Sequence, residues 1–247
     1  MMPAITDAFP HEFDSTWRGF GGVHGGLVVA SMVHAATAES GAVPVSASAH
    51  FTRPVQPGPV DVRVDVEHGG RTPSVRTAMG DSANGMVRLT RTPGLTTWPP
   101  VPRDFDNVDP ESLSPLEIPV DFVPFSQYLD IRPVNVARPF AGGDVPEFEV
   151  WIRLVTPIAF TTAERAAVLL DALPPGLFAT FTTPVPIPTV EFTAHFSPVS
   201  TSRTDWHHLR NRTVWATGDL CVDESELFTS SGHLVGQARQ VRRILTS

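Results

Sequence analysis

Apolar and polar residues alternate strictly along one stretch in the first half of the 247-residue chain. The apolar positions are Val60, Val62, Val64 and Val66, and a charged residue follows each of them. A two-residue period is typical of an antiparallel strand with one face on the core, here over residues 59–68. The same reasoning predicts neighbouring strands over 45–53, 72–79 and 86–92, with a turn at Gly69-Gly70.

Two further segments are predicted to be helices that these strands enclose. The first runs from Gly26 to Glu39 and meets a plausible glycine stop at Ser40-Gly41. The second follows Thr161, which forms a capping box with Glu164 ahead of an apolar run. This second helix ends before the prolines at 174–175 and is apolar on nearly every side, which indicates that it is buried.

The second half of the chain repeats the order of elements found in the first. Strands are predicted there over 147–155, 188–197, 206–211, 213–221 and 233–243. The pentapeptide Ser-Ala-His-Phe-Thr at 48–52 returns as Thr-Ala-His-Phe-Ser at 193–197. Each copy follows a helical segment and precedes strands, so duplication explains the shared order better than chance.

Seven prolines between residues 92 and 119 separate the two halves. Proline lacks an amide hydrogen and restrains the residue before it to extended geometry, so this stretch is a poor helix and a poor central strand. We therefore predict an N-terminal repeat over 1–92, a proline-rich connection over 93–124 and a C-terminal repeat over 125–247.

Composition narrows the possible chemistry and partners. The net charge of −8 disfavours a nucleic-acid or anionic-membrane partner. All 18 basic residues are arginine, so lysine-based phosphate binding and Schiff-base chemistry are excluded. The longest apolar stretch is too short to span a bilayer, and we see no secretory signal. The single cysteine, Cys221, fits a reducing cytoplasm, where we expect the protein to reside.

The order of several short motifs resembles the double-hotdog acyl-CoA thioesterases, in particular the bacterial acyl-CoA thioesterase II type. The motifs lie at 21–22, 51–58, 70–71, 205–206 and 231–240. The resemblance implies an α+β fold in which two tandem hotdog repeats each wrap an antiparallel sheet around a central helix. It also implies hydrolysis of a fatty acyl-CoA thioester to free acid and CoA, and hence a role in lipid metabolism.

The resemblance places the hydrolytic centre at Asp171, Thr189 and Gln240. Asp171 ends an otherwise apolar helix, where a carboxylate is disfavoured by the helix dipole and by desolvation. Gln240 shares the small-residue, inward face of the last predicted strand. Thr189 falls on the opposite strand face from its apolar neighbours, so either a bulge near Pro188 resets the phase or Thr189 faces the junction of the halves.

The glycine-rich entry to the first helix is the predicted substrate-binding segment, with Gly21, Gly22, His24 and Gly25 as its candidate residues. Its backbone N–H groups could stabilise an oxyanion. His34 occupies the place in the first repeat that Asp171 occupies in the second, so one active centre per chain is expected.

Hydrolysis by an Asp-activated water is the favoured function, and a non-catalytic acyl-CoA-binding double hotdog is the alternative. No Asp precedes a His by five positions, which disfavours the enoyl-CoA hydratases that use that motif. We expect no cofactor and no metal. We expect a homo-oligomer, because sheet edges in such folds pair across subunits.

Overall fold

The structure is a computed structural model that describes residues 8–92, 101–105, 108–156, 158–199, 201–202 and 205–245. The first half contains β1 (Ala8–Phe13), α1 (Gly25–Ser40), β2 (Val43–Phe51), β3 (Gly58–His68), β4 (Ser74–Met79) and β5 (Ala83–Thr90). The second contains β6 (Leu129–Pro133), β7 (Glu147–Leu154), α2 (Thr162–Leu170), β8 (Thr189–Phe196), β9 (His207–Thr217), β10 (Leu220–Thr229) and β11 (Leu234–Arg243).

All eleven strands form one antiparallel sheet in the order β1-β3-β4-β5-β2-β8-β11-β10-β9-β7-β6. The two halves join where β2 pairs with β8. Ser48 lies opposite Thr193, which holds the same position in the second copy of the pentapeptide. The repeated segments therefore pair with each other about a local two-fold axis, and the predicted α+β architecture is confirmed.

The two helices begin and end where their capping residues dictate. The His24 side chain accepts the Leu27 N–H at the start of α1, and Gly41 ends that helix with a φ of 61°. A positive φ carries no Cβ penalty for glycine, which makes it a common stop. At α2 the predicted capping box is present, with Thr161 and Glu164 each bonding the other's backbone N–H. Both helices are buried almost throughout and pack on each other inside the sheet.

The strand predictions failed in three places: β1 and β6 were not predicted at all, and the region after residue 205 was divided wrongly. β9 runs unbroken from His207 to Thr217, where two strands over 206–211 and 213–221 were expected, and β10 was not predicted as a separate strand. The turn between β9 and β10 is at Gly218, whose φ is 57°. Asn211, a residue type often found in turns, is instead buried inside β9 and donates to the Pro174 carbonyl oxygen.

The described part of the connection runs over the second half of the sheet without regular strands. The Arg103 N–H donates to the Gly232 carbonyl oxygen at 2.9 Å. Phe105 stacks on His208, with ring centroids 4.0 Å apart. Three of the seven prolines, at 93, 99 and 100, lie outside the described residues. Within the described part of the chain, neither helix has the length and apolarity needed to cross a membrane.

Candidate active site

Asp171 lies where the N-terminus of α1 meets the C-terminus of α2. It caps α2, and its Oδ2 accepts the Gly26 N–H at 2.8 Å. The sequence placed this carboxylate only at the negative end of α2. The fold also places it at the positive end of α1, where backbone N–H groups stabilise negative charge. The carboxylate is thus held where the ends of the two helices meet.

Two glycines allow the helices to approach this closely. A Cβ on Gly26 would overlap the Ala167 carbonyl oxygen and would lie 3.0 Å from the Asp171 Cβ. A Cβ on Gly25 would lie 2.8 Å from Asp171 Oδ2. Gly25 is partly exposed, whereas Gly26 is buried. The surroundings of Asp171 are thus less enclosed on the Gly25 side than on the Gly26 side.

His24 is a buried helix cap that also touches Asp171. Its Nδ1 accepts the Leu27 N–H at 3.2 Å, so the ring hydrogen lies on Nε2, which is 3.0 Å from the Asp171 carbonyl oxygen. Burial lowers the pKa of His24, although the Asp171 carboxylate acts in the opposite direction. The neutral ring packs against Phe125, with centroids 4.3 Å apart. His24 therefore fixes the helix end and the backbone of Asp171.

Thr189 and Gln240 are in direct contact across two neighbouring strands. The Thr189 hydroxyl donates to Gln240 Oε1 at 2.8 Å. The pairing of β8 with β11 shifts between Val241 and Arg242, so Glu191 opposes Val241 and Thr189 opposes Arg242. Val190 is the extra residue of a β-bulge that resets the phase of β8. Of the two orientations considered for Thr189, the bulge is the one observed.

Arg242 was not predicted as a site residue, and it links Thr189 to Asp171. Its Nη1 donates to the Thr189 hydroxyl at 2.9 Å, and its Nη2 lies 3.7 Å from Asp171 Oδ1. Its Nε lies 2.7 Å from Asp223 Oδ2. Both Arg242 and Asp223 are buried. The available signal was strand phase, because Arg242 follows the inward-facing Gln240 by two residues.

The Gln240 amide nitrogen has no hydrogen-bond acceptor among the described residues, although it is buried. A buried donor left unpaired costs about 1–3 kcal/mol. The donor is therefore suited to an oxygen acceptor supplied by water or by a ligand.

The remaining predicted substrate-binding residues differ in their surroundings. Gly21 is exposed, with open space around it. Gly22 is buried, and a Cβ there would meet the Val55 carbonyl oxygen at 2.5 Å. At the start of α1 the Gly26 N–H is taken by Asp171, and the Leu27 N–H is taken by His24. The Gly25 N–H has no acceptor within the described ranges, so this part of the helix end offers one amide rather than several.

Sequence comparison assigns both halves of the chain to one family. A family model described as the acyl-CoA thioesterase N-terminal domain matches residues 13–90, and one described as the C-terminal domain matches residues 99–244. The chain belongs to the acyl-CoA thioesterase family. No curated protein sequence matches this thioesterase-family chain.

Solved structures similar to this acyl-CoA thioesterase family member share its whole fold. A conserved hot dog fold protein of unknown function from Alicyclobacillus acidocaldarius has a TM-score of 0.83 at 19% identity, covering 97% of this chain and 94% of the other. The tesB protein of Mycobacterium avium subspecies paratuberculosis has a TM-score of 0.74 at 18% identity, with coverages of 97% and 93%. The acyl-CoA thioesterase II TesB2 of Mycobacterium marinum has a TM-score of 0.68 at 17% identity, with coverages of 90% and 89%. The fold is a double hotdog, as the motifs implied.

The equivalent corner of the first repeat carries a different pair of side chains in this family member. His34 Nδ1 lies 3.0 Å from Glu164 Oε1 at the start of α2, where the two-fold axis would place a second Asp171-type contact. Cys221 is buried, and burial raises its pKa to about 11. A thiolate nucleophile is therefore disfavoured at Cys221.

Proposed function

We propose that this family member hydrolyses a fatty acyl-CoA thioester to the free acid and CoA, using a water activated by Asp171. The observation that carries the proposal is the position of the Asp171 carboxylate beside Gly25 and beside Arg242, whose guanidinium also donates to Thr189. Thr189 in turn donates to Gln240. A carboxylate held within reach of a water molecule can act as a general base.

The reaction would proceed in two steps. Asp171 takes a proton from water as the water oxygen bonds to the thioester carbon, which places negative charge on the carbonyl oxygen. The carbon–sulfur bond then breaks, and the departing sulfur takes the proton from Asp171. Thr189 and Gln240 would orient the water, and the Gly25 N–H, which has no acceptor among the described residues, would stabilise the oxyanion.

The acyl chain would lie in an apolar slot between the two repeats. Phe51 borders the Gly25 side of the site, because a Cβ on Gly25 would lie 3.6 Å from its ring. Apolar walls beside a few fixed polar groups are the usual form of such a site.

A second candidate is a double hotdog that binds acyl-CoA without hydrolysing it. It is favoured by one observation: Asp171 is already bonded to the Gly26 N–H and paired with Arg242 inside the protein. Release of free thiol from acyl-CoAs of increasing chain length, with binding measured in parallel, discriminates the two. Thiol release supports the thioesterase, whereas binding without release supports the binder.

We also propose the organisation that the sequence suggested. The repeats would span 1–92 and 125–247, joined by the connection over 93–124, and the protein would act in the cytoplasm as a homo-oligomer. The two outer strands of the sheet, β1 and β6, each pair on one side only within the described residues, which supports assembly through a sheet edge.

A further inference from the structure

We propose that Arg242 is a positioning residue that fixes the Gln240 amide with its nitrogen free to donate into the site, through the hydroxyl of Thr189. This inference rests on the proposed function, because the free donor matters only if an oxygen of water or thioester is to be held there. Three observations carry it: the direction of each hydrogen bond, the anchoring of Arg242, and the unpaired nitrogen of Gln240.

The direction of the hydrogen bonds follows from what each group can do. Arginine has only donors and keeps its charge at every working pH, so Thr189 must accept from Arg242 Nη1. The single hydroxyl hydrogen of Thr189 is then free to point at Gln240, where it meets Oε1 at 2.8 Å. An amide rotated by 180° would place N–H groups against that hydrogen. The oxygen of Gln240 is therefore held at Thr189, and its nitrogen is turned away from Thr189.

Arg242 is held in place by a second buried pair. Its Nε lies 2.7 Å from Asp223 Oδ2, and Asp223 Oδ1 accepts the Thr213 hydroxyl at 2.6 Å. Burial raises the pKa of Asp223, and the Arg242 guanidinium offsets part of that rise. Asp223 also lies directly opposite Gln240 in the pairing of β10 with β11. Asp223, which holds Arg242, and Gln240, whose amide Arg242 positions, therefore lie on paired strands of the same sheet.

The three predicted site residues, Asp171, Thr189 and Gln240, have different hydrogen-bond partners and therefore different roles. Thr189 already donates to Gln240 and accepts from Arg242, so it acts as a relay rather than as the donor to substrate. Gln240 Nε2 is the group left to donate, because it has no acceptor in the described part of the chain. Asp171 keeps one oxygen on the Gly26 N–H and has the other 3.7 Å from Arg242.

The test uses variants that break the relay, which is the pair of hydrogen bonds from Arg242 to Thr189 and from Thr189 to Gln240. These variants keep the net charge of the protein constant. Arg242→Met combined with Asp223→Asn removes both buried charges together, because one left alone would threaten folding. The matched control is Arg243→Met with Asp219→Asn, which removes an exposed ion pair from the same two-strand region. Thr189→Val breaks the relay without touching any charge, and Thr189→Ser retains the hydroxyl.

The first readout does not depend on activity. The side-chain amide of Gln240 is followed by nitrogen–proton NMR and is assigned by its loss in Gln240→Glu. We expect the signal to move and broaden in the Arg242 pair variant and in Thr189→Val. It should keep its wild-type position in Thr189→Ser and in the control pair.

The second readout is thioester hydrolysis by the same proteins. We expect kcat to fall by about ten- to one-hundredfold in the Arg242 pair variant and in Thr189→Val, which is less than the about 10²–10³-fold typical of removing a donor outright. KM should stay within about twofold, and Thr189→Ser should recover most of kcat. In a Gln240→Glu background, removing Arg242 and Asp223 should cost little more, because residues that act as a unit are not additive.

The outcomes separate the positioning role from the proposed function. An unchanged Gln240 amide signal in both Thr189→Val and the Arg242 pair variant overturns the positioning role, whatever the activity. A shifted signal with wild-type kcat overturns its part in the reaction. A wild-type protein that hydrolyses no acyl-CoA overturns the proposed function, and the NMR result then identifies the relay as structural only.

Discussion

Gly25 is the position where one added methyl group should disturb the reaction without unfolding the protein. In Gly25→Ala the new Cβ would start 2.8 Å from Asp171 Oδ2, whereas ordinary contacts begin at 3.4 Å. The carboxylate must therefore retreat by about 0.6 Å. Its bond to the Gly26 N–H, now 2.8 Å long, would be stretched or lost.

The size of the effect follows from that displacement. A misplacement of about 1 Å can reduce a rate by about 10²-fold, so about 0.6 Å should lower kcat roughly tenfold. The lost charge-assisted hydrogen bond costs about 1.5–3 kcal/mol, and replacing glycine by alanine in a helix returns about 1 kcal/mol. The free energy of unfolding should thus fall by no more than about 2 kcal/mol.

Hydrolysis is measured by thiol release from acyl-CoA, and stability is measured by urea unfolding. Gly26→Ala provides the contrast, because its Cβ would overlap backbone of α2 and should cost about 1–3 kcal/mol in overpacking. Gly69→Ala is the control, since nothing lies within 4 Å of that site and it is outside the predicted substrate-binding segment. Full activity in Gly25→Ala, with Gly26→Ala as stable as the wild type, would refute the close approach of α1 to Asp171.

Two further predictions concern stability. Burial lowers the pKa of His208 from 6.5 to about 4, so the unfolded chain binds more protons between these values and stability falls as the pH falls through that window. Going from pH 7 to pH 5 should lower the free energy of unfolding by about 2 kcal/mol through His208. His208→Phe should remove this loss, whereas His195→Phe, at an exposed histidine, should not. Equal pH dependence in the wild type and both variants would contradict the prediction. Thr161→Ala removes the cap of α2 and should lower the free energy of unfolding in urea by about 1 kcal/mol. Hydrolysis should persist, because Thr161 lies at the end of α2 remote from Asp171. An unfolding midpoint equal to that of the wild type would contradict the capping box.

The elements with clear periodicity could be predicted from sequence alone. The valine strand became β3, and both helices begin and end within a residue or two of their expected bounds. The capping box and the glycine stop are local signals that need no knowledge of the fold. β10 gave no such signal because its inner face includes Asp223 and Ser225, which removes the alternation of apolar and polar residues.

The site was predictable only in part, because some of its features depend on how strands pair. The resemblance to the thioesterases singled out Asp171, Thr189 and Gln240, and helix position and strand phase supported Asp171 and Gln240. The bulge at Val190 becomes visible only when β8 is aligned with β11. Arg242 belongs to the site because it pairs with Asp223 on the neighbouring strand and with Asp171 at the end of a helix. No local pattern could bring those three residues together.

The most direct test of the central claim is the kcat of Asp171→Asn for acyl-CoA hydrolysis. Asparagine keeps the size of the side chain and an oxygen for the Gly26 N–H, yet it cannot accept the proton of water. We predict a loss of about 10²–10⁴-fold in kcat with the unfolding transition retained, whereas Asp219→Asn, at an exposed carboxylate, should match the wild type. Wild-type turnover by a folded Asp171→Asn protein would contradict the assignment of Asp171 as the base.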